Sequence, residues 1–432
     1  MSAHTINDSS VESLEQFILD RNEPAWLTEV RNAALTRFRE MTWPTASDEE
    51  FRRSDVSNYD FDAYAFEIVP GPRGEAETPV GQSGTLQFQG SSLVRRSLAE
   101  GLAEKGVLLV SFEEAVDGAL SESLAGKVRD VLLRGIRNAD NRLAVWHYAT
   151  ITHGAVVYVP KFVELKDPFV LTFDEEAADI LRSPQVVAIA DDGARFKVVS
   201  RVRQADEGEV LYNEGVDIDV GSGGQIEYFG FQNVNIDSSY ISNGLGSVGR
   251  DATFHGYAAV FGGMFSKYRF DAAMMGEGGD AFLGGVYFPH EDQHIDLRTV
   301  QRHISPKAHS LTLYKGSIID EAHSVYQGLI SVDHEALNTD AYLTNNNLLL
   351  TDEGRADSIP TLQINTDEVR CSHGSTVGKL DAAQIYYLKT RGYSEEEANH
   401  ILVEGFFEEI LSHYPESAAD EIRAIIEERI GG

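Results

Sequence analysis

The sequence predicts a mainly β chain with helical segments at both ends, and three observations predict it. Between about residue 155 and residue 369, short runs rich in β-branched and aromatic residues recur, punctuated by glycine. Almost no pattern of helix length interrupts them. Before and after that stretch, apolar residues recur at helical spacing. The lack of helical crossovers argues against a doubly wound sheet and leaves a sandwich, a barrel, a propeller or a β-solenoid. No clean period is visible, which weighs against a regular repeat.

The first helix is expected over Ser10 to about Arg21, with Val11, Leu14, Phe17 and Ile18 on its apolar face. A second starts near Pro24, a suitable first-turn residue, carries Trp26, Val30, Ala34, Phe38 and Met41, and stops before Pro44. Residues 69–87 are rich in Gly, Pro, Glu and Thr without periodicity and read as a loop. Gly106–Phe112 reads as a buried strand, and helical patterns follow over Ser121–Ile136 and Asn141–Tyr148. The expected strands are 155–159, 168–173, 185–190, 194–202, 225–231, 252–261, 268–275, 281–288, 310–315 and 322–330. Asn345-Asn346-Asn347 fits either a stacked run of asparagines or a polar loop. Beyond Val377, a helix over Asp381–Arg391 ends at Gly392. Ser394 to Glu397 forms a capping box for the next helix, with Ala398, Ile401, Leu402, Phe406, Ile410 and Leu411, and Ser417 caps a last helix over Ala418–Ile430. The domains expected are 1–150, helical with some β; 151–372, the β core; and 373–432, helical.

A net charge of -33 repels nucleic acid and anionic membrane surfaces. Lysine and arginine together number 36 against 69 acidic residues, and only ten of the 36 are lysine, a balance that suits a salt-rich cytosol. A single cysteine excludes an internal disulfide framework. The N-terminus has no signal-peptide pattern and no apolar run is long enough to span a membrane, so the expected location is the cytoplasm.

That cysteine is the most informative residue. In Arg370-Cys371-Ser372-His373-Gly374-Ser375-Thr376-Val377-Gly378-Lys379-Leu380-Asp381 a thiol and an imidazole stand two apart, on one face if the segment is a strand. Both are donors for soft and borderline metals. Two donors are too few to close a zinc or iron–sulfur site, so the pair implies a shared site or none. A buried structural Cys and a surface His is the ordinary alternative.

The same run resembles the C-terminal signature of the SufB/SufD family, from the SUF machinery for iron–sulfur cluster assembly. Gln384 to Tyr393 and Ala398 to Glu409 resemble the helices that follow it in the family. Thr339-Asp340-Ala341-Tyr342 with Asn345 and Asn347 to Leu350, and Asp357 to Ile364, resemble the segments before it. Glu49-Glu50-Phe51-Arg52-Arg53-Ser54-Asp55-Val56 resembles an N-terminal element, with Phe51 for the usual Trp. Within the family the resemblance is to the SufD branch. The SufB branch carries a cysteine in the segment matching Thr339–Leu350 and a His-Glu pair at Cys371-Ser372-His373. His153-Gly154 departs from the commoner Asp-Gly.

The resemblance implies a central right-handed parallel β-helix flanked by helical domains. It implies a non-catalytic scaffold that forms a heterodimer with SufB, binds the SufC ATPase and carries a transient iron–sulfur cluster at the subunit interface. An FAD in the complex and a homodimer in the absence of SufB are compatible with it. Cys371 and His373 are then the candidate cluster ligands, shared with SufB, and Leu402, Phe406 and Phe407 the candidate SufC contacts. Leu402, Phe406 and Ile410 equally suit packing between helices, and Phe406 and Phe407 point about 100° apart on a helix. His290, Glu291, Asp292 and His294 are a weaker metal candidate in a polar turn. Gly276-Glu277-Gly278-Gly279-Asp280 lacks the Lys-Ser/Thr of a phosphate loop. The rival readings are a SufB-type paralogue, a polysaccharide-cleaving β-helix enzyme and a standalone metal-binding β-helix protein.

Overall fold

The structure, a computed structural model, describes residues 4–6, 10–57, 59–61, 64–68, 74, 76–176, 179–204 and 208–431. Strand accounts for 42% and helix for 26% of the chain, arranged as a central parallel β-solenoid of about eight turns with helices at both termini.

Successive strands alternate between two sheets. Sheet I runs through Phe169–Glu175, Arg195–Gln204, Gln225–Asn233, Thr253–Val260, Asp280–Tyr287, His309–Ile318, Thr339–Leu349 and Val369–Gly378. Sheet II runs through His153–Val159, Pro184–Ala190, Val210–Val220, Ser239–Val248, Phe265–Met274, His294–His303, His323–Val332 and Arg355–Ile364. Each strand lies parallel to the one a turn earlier in its own sheet, so Phe265, His294, His323 and Arg355 stack in register along sheet II. Gly84–Gln89 extends the first end of sheet I and the antiparallel strand Ser92–Leu98 closes it, while the antiparallel strand Leu108–Ser111 closes the first end of sheet II.

The composition of the strands follows from what covers them. Leu171, Val198, Ile226, Phe254, Leu283 and Leu343 fill the space between the sheets. The outer face of sheet II is covered by helices α1 (Val11–Asp20), α2 (Ala25–Glu40), α3 (Glu122–Asn138) and α4 (Arg142–Thr150), whose Leu132, Trp146 and Ala149 pack with Val187, Ile189 and Leu211. The outer face of sheet I is covered by α6 (Glu395–Leu411) and α7 (Glu416–Gly431), through Val403, Phe407, Ile410 and Ile422 on Val199, Phe229, Tyr257 and Phe288. The helix α5 (Ala382–Thr390), which precedes α6 in the chain, buries no residue at all. A strand covered on both faces has no polar side to show, and every residue of Pro184–Ala190 is buried.

The expected helices form at or within a few residues of their expected ends. Ser10 caps α1, Asn141 caps α4, and Ser394 and Glu397 close a reciprocal capping box on α6. The last helix starts at Glu416, ahead of Ser417. Of the loop expected over 69–87, Val69–Arg73 and Glu75 lie outside the described residues, and the strand Gly84–Gln89 takes up its end. Asn345, Asn346 and Asn347 lie in neither a turn nor a loop but inside the strand Thr339–Leu349.

Candidate functional site at the open end of the solenoid

The last turn of the solenoid is left uncovered. Val369–Gly378 ends sheet I and Arg355–Ile364 ends sheet II, and each pairs on one side only. Neither strand contains a fully buried residue. Beside the unpaired backbone groups, Tyr342, Leu362, Ile364 and Val377 are exposed apolar side chains.

Cys371 and His373 stand on this outermost strand, opposite Ala341 and Leu343. Those partners both belong to the core between the sheets, so the Cys-x-His spacing turns both side chains towards the mouth of the solenoid. Cys371 is half-buried against that core, while His373 is exposed. Burial pushes the Cys371 thiol pKa up, with the Asp340 carboxylate adding to it. At neutral pH the thiol therefore keeps its proton, and a metal would have to displace it to gain a thiolate ligand. Among the described residues, the one group of three His, Cys, Asp or Glu side chains whose ligand atoms approach within 4.8 Å of one another is His400, Glu404 and Glu427, far along the chain from this strand. Cys371 and His373 thus have no third such donor grouped with them.

Beneath the mouth, the polar residues of the preceding strand are tied inward. Asn345 donates to Tyr287 Oη at 2.9 Å and Asn347 donates to Asn345 Oδ1 at 2.8 Å. The segment Glu49–Val56 fastens the N-terminal region to the outside of the same turns. Phe51 is buried with the Lys267 ammonium 4.5 Å from its ring centre. Glu50 meets Lys267 and Arg269 at 3.4 Å and Arg298 at 3.5 Å. Ser54 Oγ lies 2.8 Å from His294 Nε2, and Arg53 lies 3.8 Å from Asp357, which also accepts from His323 at 3.0 Å. His294 is therefore held in this clasp and not in a metal cluster with His290. Gly276–Asp280 is a turn in which Gly278 has φ +72°.

At the C-terminal helices the two neighbouring phenylalanines part company. Phe407 is fully buried, 6.1 Å from Phe288, and offers no surface to a partner. Phe406 is half-buried under Lys315, and Leu402 is also partly exposed. The larger exposed aromatic surface was not singled out by sequence: Tyr386 and Tyr387 on α5, with Tyr393 and Ile401 beyond it. Its signal is an α5 sequence without a single apolar stripe, so that no orientation of the helix buries both Tyr386 and Tyr387.

The chain is a two-sheeted parallel β-solenoid protein with Cys371 and His373 on its outermost strand, and comparison with known proteins gives its family. Residues 173–406 match the family model described as SUF system FeS cluster assembly, SufBD core domain. The chain belongs to the SufB/SufD family of iron–sulfur cluster assembly proteins. Within the family it is SufD-like. It is 23% identical to the iron–sulfur cluster assembly protein SufD of Bacillus subtilis over 435 residues, 97% of each chain. It is 27% identical to SufD of Escherichia coli over 242 residues, 56% of this chain and 57% of that one. An iron–sulfur cluster assembly SufBD family protein of Mycobacterium leprae is 30% identical over 282 residues, 63% of this chain and 70% of the relative. None of the described helices is long and apolar enough to cross a membrane.

Proposed function

We propose that the chain is a non-catalytic scaffold subunit that assembles nascent iron–sulfur clusters against a SufB-type partner, with a SufC-type ATPase docked on its C-terminal helices. The observation that carries this reading is the incomplete donor pair, Cys371 and His373, on the unpaired outermost strand. A partner strand added to that edge would satisfy the free backbone groups, cover Leu362, Ile364 and Val377, and bring the missing ligands to the same mouth. The cluster is cargo: thiolate and imidazole hold iron until the product leaves. In the partner's absence the same edge would pair with a second copy. The ATPase surface comprises Leu402, Phe406 and the exposed Tyr386 and Tyr387. An FAD would belong to the assembled complex as a reductant of iron.

The test is purification of the tagged chain from its native cytosol at high salt, with partners identified by mass. Stoichiometric recovery of a SufB-type subunit and an ATPase is the expected result, and a flavin spectrum of the complex tests the FAD. Recovery of the folded chain alone would favour a standalone metal-binding protein. His373→Ala should lower cluster yield while the complex stays whole, and an undiminished yield would remove the ligand role.

A further inference from the structure

Helices α6 and α7 pack against each other over the outer face of sheet I, and an open groove of about 370 Å³ runs between them, with Ile401, Glu404, Arg423 and Ile426 in its wall. Glu404 belongs to a set of three metal-donor side chains that converge here. His400 and Glu404 stand four apart on α6, hence on one face, and His400 Nε2 lies 3.5 Å from Glu404 Oε1. Glu427 comes from α7, and its carboxylate puts a third ligand atom within 4.8 Å of the other two.

An ordinary ion pair along a helix accounts for His400 and Glu404 and leaves Glu427 unexplained. Two carboxylates this close repel each other, and no lysine or arginine among the described residues forms a salt bridge with either. Arg423, one turn before Glu427, is engaged by Glu408, Asp420 and Glu416 at 3.0, 2.9 and 3.5 Å. Arg429 is turned to sheet I, where it donates to the Phe261 carbonyl at 2.9 Å. Three acids on Arg423 keep the surroundings net negative, which favours a cation. The donors can be reached from solvent. The His400 and Glu404 side chains are 31% and 42% exposed, and Glu427 is exposed. A Cβ on Gly405 would meet nothing within 4 Å, so the space beside Glu404 is open.

We propose that His400, Glu404 and Glu427 form a binding site for a divalent first-row transition metal ion, with zinc the best fit. One imidazole and two carboxylates suit Zn²⁺ and not Cu⁺, which selects sulfur. Three donors are too few for Ca²⁺, which takes about six to eight oxygens. In a tetrahedral zinc site with bonds of about 2.1 Å the ligand atoms stand about 3.4 Å apart, a spacing that His400 and Glu404 already hold. Rotation of the exposed Glu427 side chain closes the remaining distance, and water takes the fourth position. The two carboxylates match the charge of the ion, which braces α6 against the last turns of α7. The site shares no residue with the open end of the solenoid, so the scaffold reading stands or falls without it.

The test is calorimetric titration of the full chain with zinc in excess magnesium, which occupies ordinary surface carboxylates. Cys371→Ser and His373→Ala are built into every protein to silence the open end. One zinc per chain should bind. Glu427→Gln and His400→Gln should each weaken that binding by at least about tenfold, since groups that merely orient a metal ligand already carry that much. Zinc should also slow hydrogen exchange in the last turns of α7 in the parent and not in Glu427→Gln. Exchange in the solenoid reports whether each variant keeps its fold. Equal zinc affinity in the parent and both variants would assign the ion to other carboxylates and overturn the proposal, as would a parent with no saturable binding.

Discussion

Among single residues, the chemistry of the site and the stability of the fold separate cleanly. His373 is exposed, so His373→Ala should change unfolding free energy by no more than about 0.5 kcal/mol, measured by denaturant titration, even as cluster yield falls. Gly154 is the contrary case. Its φ is +146° and a Cβ there would lie 1.9 Å from the Gln185 carbonyl oxygen. Gly154→Ala should cost about 3 kcal/mol or more by the same titration. Glu214 gives a prediction in pH. Burial raises its pKa from 4.5 to about 7, against the opposing hydrogen bonds from Tyr240 and Ser242. The folded chain thus holds a proton that the unfolded chain has released, and this group's contribution to stability falls as pH rises from about 4.5 to 7. Glu214→Gln should flatten that fall by about 3 kcal/mol over the window, read from denaturant titrations of both proteins across pH. His294, lowered by burial to about 4, works in the opposite direction: its contribution is lost as pH falls from 6.5 to about 4. Comparing the variant with the natural protein isolates the Glu214 part.

Among elements, the N-terminal clasp and α5 have opposite roles. Glu50 faces Lys267, Arg269 and Arg298, so Glu50→Ala leaves buried cations short of a partner. A loss of about 3 to 5 kcal/mol is expected, with the turns carrying His294 and His323 losing protection first in hydrogen exchange. Helix α5 buries nothing, so changing Tyr386 and Tyr387 to Ser should leave the thermal midpoint in place. The same change should weaken capture of the ATPase proposed above as a partner, and unchanged capture would remove α5 from the proposed docking surface. The helices and their caps were legible because Ser, Asn and Glu at helix starts act locally, as Ser394 and Glu397 show. Val210–Val220 and His294–His303 were not. Their Asn213, Asp217, Asp296 and Arg298 are polar yet covered by the N-terminal region, so the alternation that marks a half-exposed strand is lost.

For the whole molecule, the solenoid escaped detection as a repeat because its turns differ in length. Gln225 pairs with Thr253 and Thr253 with Asp280, steps of 28 and 27 residues, whereas His309 to Asp340 is 31 and His323 to Arg355 is 32. Hydrogen-bond register is kept strand by strand while the connections absorb the difference, so no fixed period survives in the sequence. Cys371 and His373 drew notice by residue type and spacing, and their reading as cluster ligands came from the family resemblance. Their position on an unpaired edge was not legible, because the lack of a next turn is a property of the stack and not of the strand. Charge also acts at this scale: with a net charge of -33, the thermal midpoint should rise steeply as salt is added from a dilute buffer and level off once the screening length falls below the spacing of surface carboxylates.

The uncapped last turn has a consequence for supply. Left uncovered, the chain displays a partly apolar strand edge of the kind that templates aggregation. If the chain works with a partner as proposed, each copy would survive in proportion to the mate available to cover it, and the stoichiometry of the assembly would be enforced after synthesis, by the fate of the surplus.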